Sequence, residues 1–218
     1  MTPQQIEALS FDIINKEAGD HGFDSQQWQV VQRVIHTSAD FEYIRSIRFH
    51  KDAIAAGIEA IKNGATIITD TNMARVGIRK GEVSMFGGDV LCLIGDEDVS
   101  ERAKKEGITR AVAAVDKSAH ISDMIDSSNQ NREKILNNII YVVGNAPTAL
   151  LRIIELVKGG RIKPALIIGL PVGFVNAAES KDELIKLDCP YISNKGRKGG
   201  SNVAASVVNA LAIMASKL

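Results

Sequence analysis

The chain has 218 residues, 45% of them hydrophobic and only 5% aromatic, a mix that suits buried strands covered by helices. Its 26 basic and 26 acidic residues leave a formal net charge of zero, so no global field favours nucleic acid or a membrane surface. Cys92 and Cys189 form neither a metal-binding spacing nor a disulfide framework, and no segment is apolar for 18 residues, so we expect a cytoplasmic protein that crosses no membrane.

The N-terminal region, up to about residue 64, is predicted to be mostly helical. A first helix over residues 3–18 is indicated by apolar residues at helical spacing, namely Ile6, Leu9, Ile13 and Ile14. Asp24 is a suitable N-cap for a second helix that extends to about residue 36. A third helix is predicted over residues 52–62. The N-terminus, which starts Met1-Thr2-Pro3-Gln4-Gln5, has no cationic region followed by an apolar stretch, so we expect no signal peptide.

From about residue 65 onwards, apolar strands alternate with amphipathic helices. The candidate strands are 66–70, 89–94, 139–143, 165–169 and 190–193. The candidate helices lie near 98–107, 110–124, 130–138, 147–158, 178–187 and 201–216. This alternation predicts a three-layer α/β/α fold with a mainly parallel sheet of about five strands. No linker or low-complexity tract divides the chain, so we expect one domain over residues 1–218, in which a mostly helical segment of residues 1–64 packs on an α/β core of residues 65–218.

Three of the predicted strands end in loops rich in glycine or proline. These loops are Gly144–Thr148, Gly169–Phe174 and Asn194–Ser201. Because the carboxyl ends of parallel strands meet at one edge of a sheet, we expect the three loops to build one pocket, with backbone N–H groups facing a ligand. Taken singly, each glycine is equally explained by turn geometry, and each proline by the first turn of a helix.

The third loop carries a cluster of basic residues. The cluster consists of Lys195, Arg197 and Lys198. It is followed by Gly199, Gly200 and a predicted helix that begins near Ser201. Helix N-termini and glycine-rich turns favour anions, so the pattern predicts a local anion site, although a solvated basic turn would look the same. The loop is not a Walker A motif, and no strand leads into Gly-x-Gly-x-x-Gly, so a dinucleotide site is not indicated.

A few polar residues outside these loops have a structural interpretation, and some of them also have a functional one. Arg33 and His36 lie three residues apart and share a helix face, where His36 is either a charged helix cap or a proton donor near neutral pH. Ser10 is explained by a hydrogen bond to its own helix. Asp70 either caps the next helix or faces the crevice. Arg110 at a helix start opposes the helix dipole, which suggests another task.

Eight short sequence motifs occur in a characteristic order and spacing along nearly the whole chain. They are Ser10-Phe11-x-Ile13-Ile14, Arg33-Val34-Ile35-His36, Asp70-x-x-Met73, Thr109-Arg110, Gly144-Asn145-Ala146-Pro147-Thr148-Ala149-Leu150, Gly169-x-Pro171-Val172-Gly173-Phe174-Val175, Ala178-Glu179-Ser180-Lys181 and Gly196-Arg197-x-Gly199-Gly200-Ser201. The chain thereby resembles the precorrin-8X methylmutase family of cobalamin biosynthesis, and especially its cobalt-precorrin-8 branch.

The resemblance implies an isomerase that moves a methyl group from C-11 to C-12 of a tetrapyrrole macrocycle, giving cobyrinate or hydrogenobyrinate. It implies a homodimer and no cofactor or metal site of its own, since any cobalt is carried by the substrate. The position that matches the family's catalytic histidine is His36, which would donate or accept a proton. The implied substrate-binding positions are Ser10, Arg33, Thr37, Met73, Arg110, Asn145, Pro147, Thr148, Pro171, Val172, Gly173, Phe174, Gly196, Arg197, Gly199, Gly200 and Ser201.

Two other hypotheses fit some features of the sequence. A non-catalytic tetrapyrrole carrier would use the same pocket without the acid chemistry. An enzyme acting on a phosphate compound would use the 195–201 loop as a phosphate nest.

Overall fold

The structure is a computed structural model that describes residues 1–119 and 138–217. The helices in these ranges are α1 (Pro3–Ala18), α2 (Ser25–Ser38), α3 (Tyr43–Ser46), α4 (Ala53–Lys62), α5 (Asn72–Gly77), α6 (Lys80–Ser84), α7 (Glu97–Glu106), α8 (Arg110–Ala119), α9 (Pro147–Lys158), α10 (Ala177–Ile185) and α11 (Ser201–Lys217). The strands are β1 (Ile47–Phe49), β2 (Thr66–Thr69), β3 (Asp89–Leu91), β4 (Ile139–Val143), β5 (Leu166–Gly169) and β6 (Tyr191–Asn194).

The strands form one sheet in the order β1-β6-β5-β4-β2-β3. Every neighbouring pair is parallel except β1 and β6, which are antiparallel, with Ile47 opposite Asn194 and Phe49 opposite Ile192. The predicted mainly parallel sheet is confirmed, and the structure has one strand more than the predicted number of about five, since β1 adds a sixth strand. A strand of only three residues has too little sequence to show a period of its own, so β1 left no signal.

Both faces of the sheet are buried, which explains why its strands read as nearly continuous apolar runs. Alternate residues such as Ile140 and Ile168 pack on one side, against apolar residues of α2, α4 and α11. Their neighbours Tyr141 and Ile167 pack on the other side, against α8, α9 and α10. The three-layer α/β/α prediction is therefore confirmed.

The last helix, α11, is the central element of the first of these layers. It packs against α2, α4 and α5, and most of its side chains are buried all round the helix. Val203, Val207 and Leu211 belong to the same apolar core as Val34 and Ile58. A helix that is apolar all round is buried on all sides, and here the sheet and the neighbouring helices enclose it. Its first residue, Ser201, is placed at the carboxyl edge of the sheet by the loop that follows β6.

The predicted long helices agree with the structure to within a few residues, whereas α3, α5 and α6 are too short to have been recognised. The predicted helix at 130–138, apart from its last residue, and the end of the one at 110–124 lie outside the described residues. In α1 the predicted helix is correct, but of its four apolar residues only Ile14 is buried. The other three are about half exposed, at 52% for Ile6, 48% for Leu9 and 45% for Ile13.

Among the helices of residues 1–119 and 138–217, none combines the length and the apolar character that crossing a membrane requires.

Candidate functional site

The sheet has a topological switch point at its carboxyl edge. From β2 the chain first adds β3 on one side, and then places β4, β5 and β6 in succession on the other side. In open parallel sheets, ligands bind outside the carboxyl ends of the strands where the order reverses in this way. The ends of β2 and β4, and the loops beside them, therefore form the candidate site.

Asp70, directly after β2, organises the loop after β4. Its carboxylate accepts N–H groups from Gly144 at 3.0 Å, Asn145 at 2.8 Å and Ala146 at 2.7 Å. Burial raises the pKa of Asp70, although the three N–H donors oppose that effect. The next helix is capped instead by Thr71, whose hydroxyl accepts the N–H of Ala74 at 3.1 Å. The expectation that these N–H groups face a ligand is therefore wrong, because they are bound to Asp70.

The three glycine-rich or proline-rich loops meet one another at the carboxyl edge. A Cβ on Gly144 would lie 2.6 Å from the Cα of Ser201, and a Cβ on Gly199 would overlap the carbonyl of Leu170. Hydrogen bonds join the same segments, since the N–H of Gly200 donates to Leu170 at 2.9 Å and the N–H of Gly173 donates to the carbonyl of Arg197 at 3.2 Å. Only glycine permits this close approach of three backbones. The predicted convergence of the three loops is confirmed.

The two prolines have different positions. Pro147 occupies the first turn of α9, as one of its two interpretations predicted. Pro171 opens no helix, because α10 begins only at Ala177, and its side chain is buried where the loops meet. Pro171 therefore shapes the second loop, while Val172 and Phe174 beyond it are 45% and 82% exposed.

The basic third loop is only partly available to an anion. Lys198 donates to carboxylates of Asp40 and Glu42, each at 2.5 Å, and these bonds raise its pKa. The guanidinium of Arg197 lies 5.4 Å from the centre of the Phe174 ring. The predicted anion site would therefore have to use Arg197 and Lys195, which are both exposed, more than Lys198.

A second cluster lies on α1 and α2 around Phe11. The ring of His36 meets the Phe11 ring edge-on at 5.1 Å, and the guanidinium of Arg33 lies 5.3 Å from the same ring. Arg33 also donates to Glu7 at 3.1 Å, with its side chain 17% exposed. Ser10 donates to the carbonyl of its own helix at Ile6, 2.8 Å away, as the local interpretation predicted. His36 is exposed in the last turn of α2.

A groove of about 370 Å³ connects the end of α2 with the basic loop. It is lined by residues of both regions, among them Thr37, Asp40, Val172, Lys198, Gly199 and Asn202. Asn202, in the first turn of α11, makes a long contact of 3.5 Å with the carbonyl of Thr37. The residue next to His36 therefore lies against the loops at the carboxyl edge, although residues 36 and 201 are distant in sequence.

The remaining predicted site residues differ in exposure and in the face of the sheet on which they lie. Met73 on α5 is 73% exposed, and Asn145 and Gly196 are exposed, whereas Gly200 and Ser201 are buried. Arg110 begins α8, on the opposite face of the sheet from α2, and its neighbour Thr109 bonds Thr148 at 3.2 Å. The structure thus groups Arg33 and His36 around Phe11, brings Thr37 to the second and third loops, and places Arg110 next to a residue that bonds Thr148 of the first loop.

Two buried ionisable groups at this edge were not singled out from the sequence as site residues. Asp70 had only the two interpretations given above, and Lys181 resembles an ordinary charged residue in the first turn of a helix. Lys181 is 0% exposed and donates to the carbonyl of Lys198 at 2.6 Å. Its burial has no local signal, because the groups it contacts are more than ten residues away.

Among the described residues, no group of three His, Cys, Asp or Glu side chains is arranged to hold a metal ion.

Known proteins resemble this chain along almost its entire length. The family model described as precorrin-8X methylmutase matches residues 5–214. A cobalt-precorrin-8 methylmutase of Priestia megaterium is 48% identical over 98% of this chain and 88% of its own. A cobalt-precorrin-8 methylmutase of Leptospira interrogans is 43% identical over 98% of this chain and 94% of its own. A crystal structure of the precorrin-8X methylmutase of Thermus thermophilus has a TM-score of 0.86 and 40% identity, covering 98% of this chain and 97% of its own.

Proposed function

The chain belongs to the precorrin-8X methylmutase family and is an isomerase, and on this premise we propose that it converts cobalt-precorrin-8 into cobyrinate. The methyl group moves from C-11 to C-12 of the macrocycle. The reaction is an isomerisation, so the proton that His36 donates to the macrocycle is returned to His36 after the methyl shift. The macrocycle gains and loses no atom. The methyl group is already on the substrate, so the reaction requires no methyl donor.

The single observation that supports this proposal best is the shared packing of Arg33 and His36 on Phe11. The two rings are 5.1 Å apart, and the guanidinium lies 5.3 Å from the Phe11 ring. Phe11 therefore orients an acid and a cation on one surface, next to the groove that Thr37 lines. A general acid has to reach the atom that it protonates, and an exposed imidazole one residue before the groove-lining Thr37 is consistent with that requirement.

The surroundings of the groove suit a large, flat ring with several carboxylates. Val172 lines the groove and is 45% exposed, and Met73 and Phe174 are further exposed apolar side chains, which supports an apolar ligand. Arg33 and Arg197 provide guanidinium groups that can bind carboxylates in a bidentate manner. We assign the ring to the apolar residues and the peripheral carboxylates to the two arginines.

Three further properties belong to the same proposal. The protein binds no cofactor of its own, and cobalt enters only within the substrate. The chain functions as a homodimer in the cytoplasm. All of the substrate-binding positions implied by the family resemblance, from Ser10 to Ser201, contact or shape the macrocycle site.

The test is turnover under anaerobic conditions, with cobalt-precorrin-8 and metal-free precorrin-8X as separate substrates. Formation of the corrin chromophore changes the visible spectrum, so conversion can be followed directly. We expect conversion with the cobalt substrate at an enzyme concentration far below that of the substrate. Binding without a spectral change would identify a carrier instead, and binding of phosphate compounds in place of tetrapyrroles would refute the proposal.

A further inference from the structure

Lys181 is a buried cation beneath the basic loop that follows β6. Its side chain is 0% exposed, and burial lowers its pKa to about 8. The ammonium group contacts no carboxylate within the described residues and instead donates to the carbonyl of Lys198 at 2.6 Å and to the side-chain oxygen of Asn194 at 3.0 Å. A lysine buried without an anionic partner is costly to the fold, so packing alone does not explain it.

Asn194 extends the same network to the start of the loop. Its side-chain amide donates to the carbonyls of Lys195 at 3.2 Å and Lys198 at 3.0 Å. The carbonyl of Arg197 is bound as well, by the N–H of Gly173 at 3.2 Å. Three of the carbonyl groups in this loop are therefore fixed by groups of the protein, and Lys181 and Asn194 together hold two of them.

Fixing these carbonyls also fixes the N–H groups of the loop. In a trans peptide the N–H points away from the carbonyl of the preceding residue, so holding the carbonyls of Lys195 and Lys198 turns the N–H groups of Gly196 and Gly199 to the other side. Within residues 1–119 and 138–217, none of the backbone N–H groups of residues 196–199 has an acceptor. The loop therefore presents donors outward while its acceptors are bound inside.

We propose that Lys181 is a positioning residue for substrate binding, which acts with Asn194 to hold the loop 195–199 in the conformation that receives a substrate carboxylate. The proposal rests on the proposed function, because it requires an anionic substrate at this loop. Lys181 itself is enclosed and does not touch the substrate. It acts through the carbonyl of Lys198 and so determines how Arg197 and the outward N–H groups are placed.

The test compares Lys181→Met, which keeps the length of the side chain but removes its donors, with Asn194→Ala. Lys186→Met is the matched control, since Lys186 is an exposed lysine at the end of the same helix. For both loop variants we expect KM for cobalt-precorrin-8 to rise roughly tenfold while kcat changes less than about threefold, and the control to keep both constants. The double variant should raise KM less than the product of the two single effects, because both residues act on one loop.

Limited digestion with trypsin gives a readout that needs no substrate. Lys195, Arg197 and Lys198 are cleavage sites, so a released loop should be cut roughly tenfold faster in Lys181→Met than in the Lys186→Met control. An unchanged KM, or an unchanged cleavage rate at this loop, would overturn the role of Lys181. A lower kcat with an unchanged KM would indicate only a loss of folded enzyme and would overturn it too. Absence of turnover in the wild type would refute the proposed function, whereas the cleavage rates would still decide whether Lys181 holds the loop.

Discussion

The carboxyl edge of the sheet and the α1–α2 pair differ in how far their polar groups are hydrogen-bonded, and their apolar side chains buried, within the chain. At the edge, Asp70 and Lys181 are buried and bonded to loop backbone, and glycines allow the loops to touch. On α1 and α2, His36 is exposed, and Ile6 and Leu9 are about half exposed. Under the proposed function, this difference corresponds to a division of tasks, in which the rigid edge holds most of the substrate and the accessible end of α2 supplies the reacting group.

This division has an energetic consequence. A substitution in the rigid loops should lower the free energy of unfolding and also weaken substrate binding, because the same contacts serve both. A substitution of His36 should lower turnover alone, because an exposed side chain contributes little to stability. Each of the following variants tests one side of this comparison.

The largest effect is expected for His36→Ala. Removing a general acid lowers kcat by about two to four orders of magnitude, while the melting temperature and substrate binding should remain as in the wild type. Conversion followed by visible spectroscopy gives kcat, and a spectral titration gives the affinity. His50→Ala is the control, since His50 lies near the start of β6 at the opposite edge of the sheet. Turnover close to that of the wild type would exclude His36 as the acid.

Gly199→Ala tests the close contact of the loops. The new Cβ would overlap the carbonyl of Leu170, so the second and third loops would have to separate. We expect the free energy of unfolding to fall by about 2 to 3 kcal/mol, measured by urea denaturation, together with a higher KM. Gly95→Ala has open space around its Cβ and should change stability by less than about 0.5 kcal/mol. Equal stability of the two variants would show that the loops are not closely packed.

Asp70→Asn tests the first loop. An amide cannot accept all three N–H groups of residues 144–146, and its own NH2 group would face one of them. We expect a loss of about 2 kcal/mol in the free energy of unfolding. Asp89→Asn, an exposed aspartate at the start of β3, is the matched control. If both variants unfolded at the same urea concentration, the carboxylate of Asp70 would not be what holds the loop.

The smallest effect is expected in the basic loop. Arg197→Gln should raise the dissociation constant for the substrate by up to about fivefold, the range of a partly exposed ion pair. Lys198→Gln should change it by less than about twofold, because Asp40 and Glu42 already bind this ammonium group. Spectral titration measures both constants. If the double variant bound the substrate as tightly as the wild type, the third loop would be only a turn.

Much of the fold was predictable from local patterns. The apolar runs of β4 and β5, and the helical spacing of the residues in α9, gave elements that the structure confirms closely. The convergence of the three loops was also predictable, since it follows from the parallel sheet alone. By contrast, β1 was missed because three residues show no period, and the exposed stripe of α1 looked like any amphipathic helix.

The candidate site was only partly predictable. Arg33 and His36 were correctly placed on one helix face, because a spacing of three residues fixes that relation. The role of Phe11 in packing on both side chains was not evident, since Phe11 lies on a different helix. For Lys198, the sequence showed the charge but not its pairing with Asp40 and Glu42, which are more than 150 residues away.

The sequence by itself determined the alternation of strands and helices, the parallel sheet and the order of the three loops, because each of these depends on residues that are neighbours in the chain. Only the tertiary structure decided that Asp70 binds the N–H groups of residues 144–146, that Lys181 lies buried beneath Lys198, and that Thr37 meets Asn202. These contacts join segments from 17 to 165 residues apart. Local propensity does not encode such pairings, and they arise only when the sheet order brings the segments together.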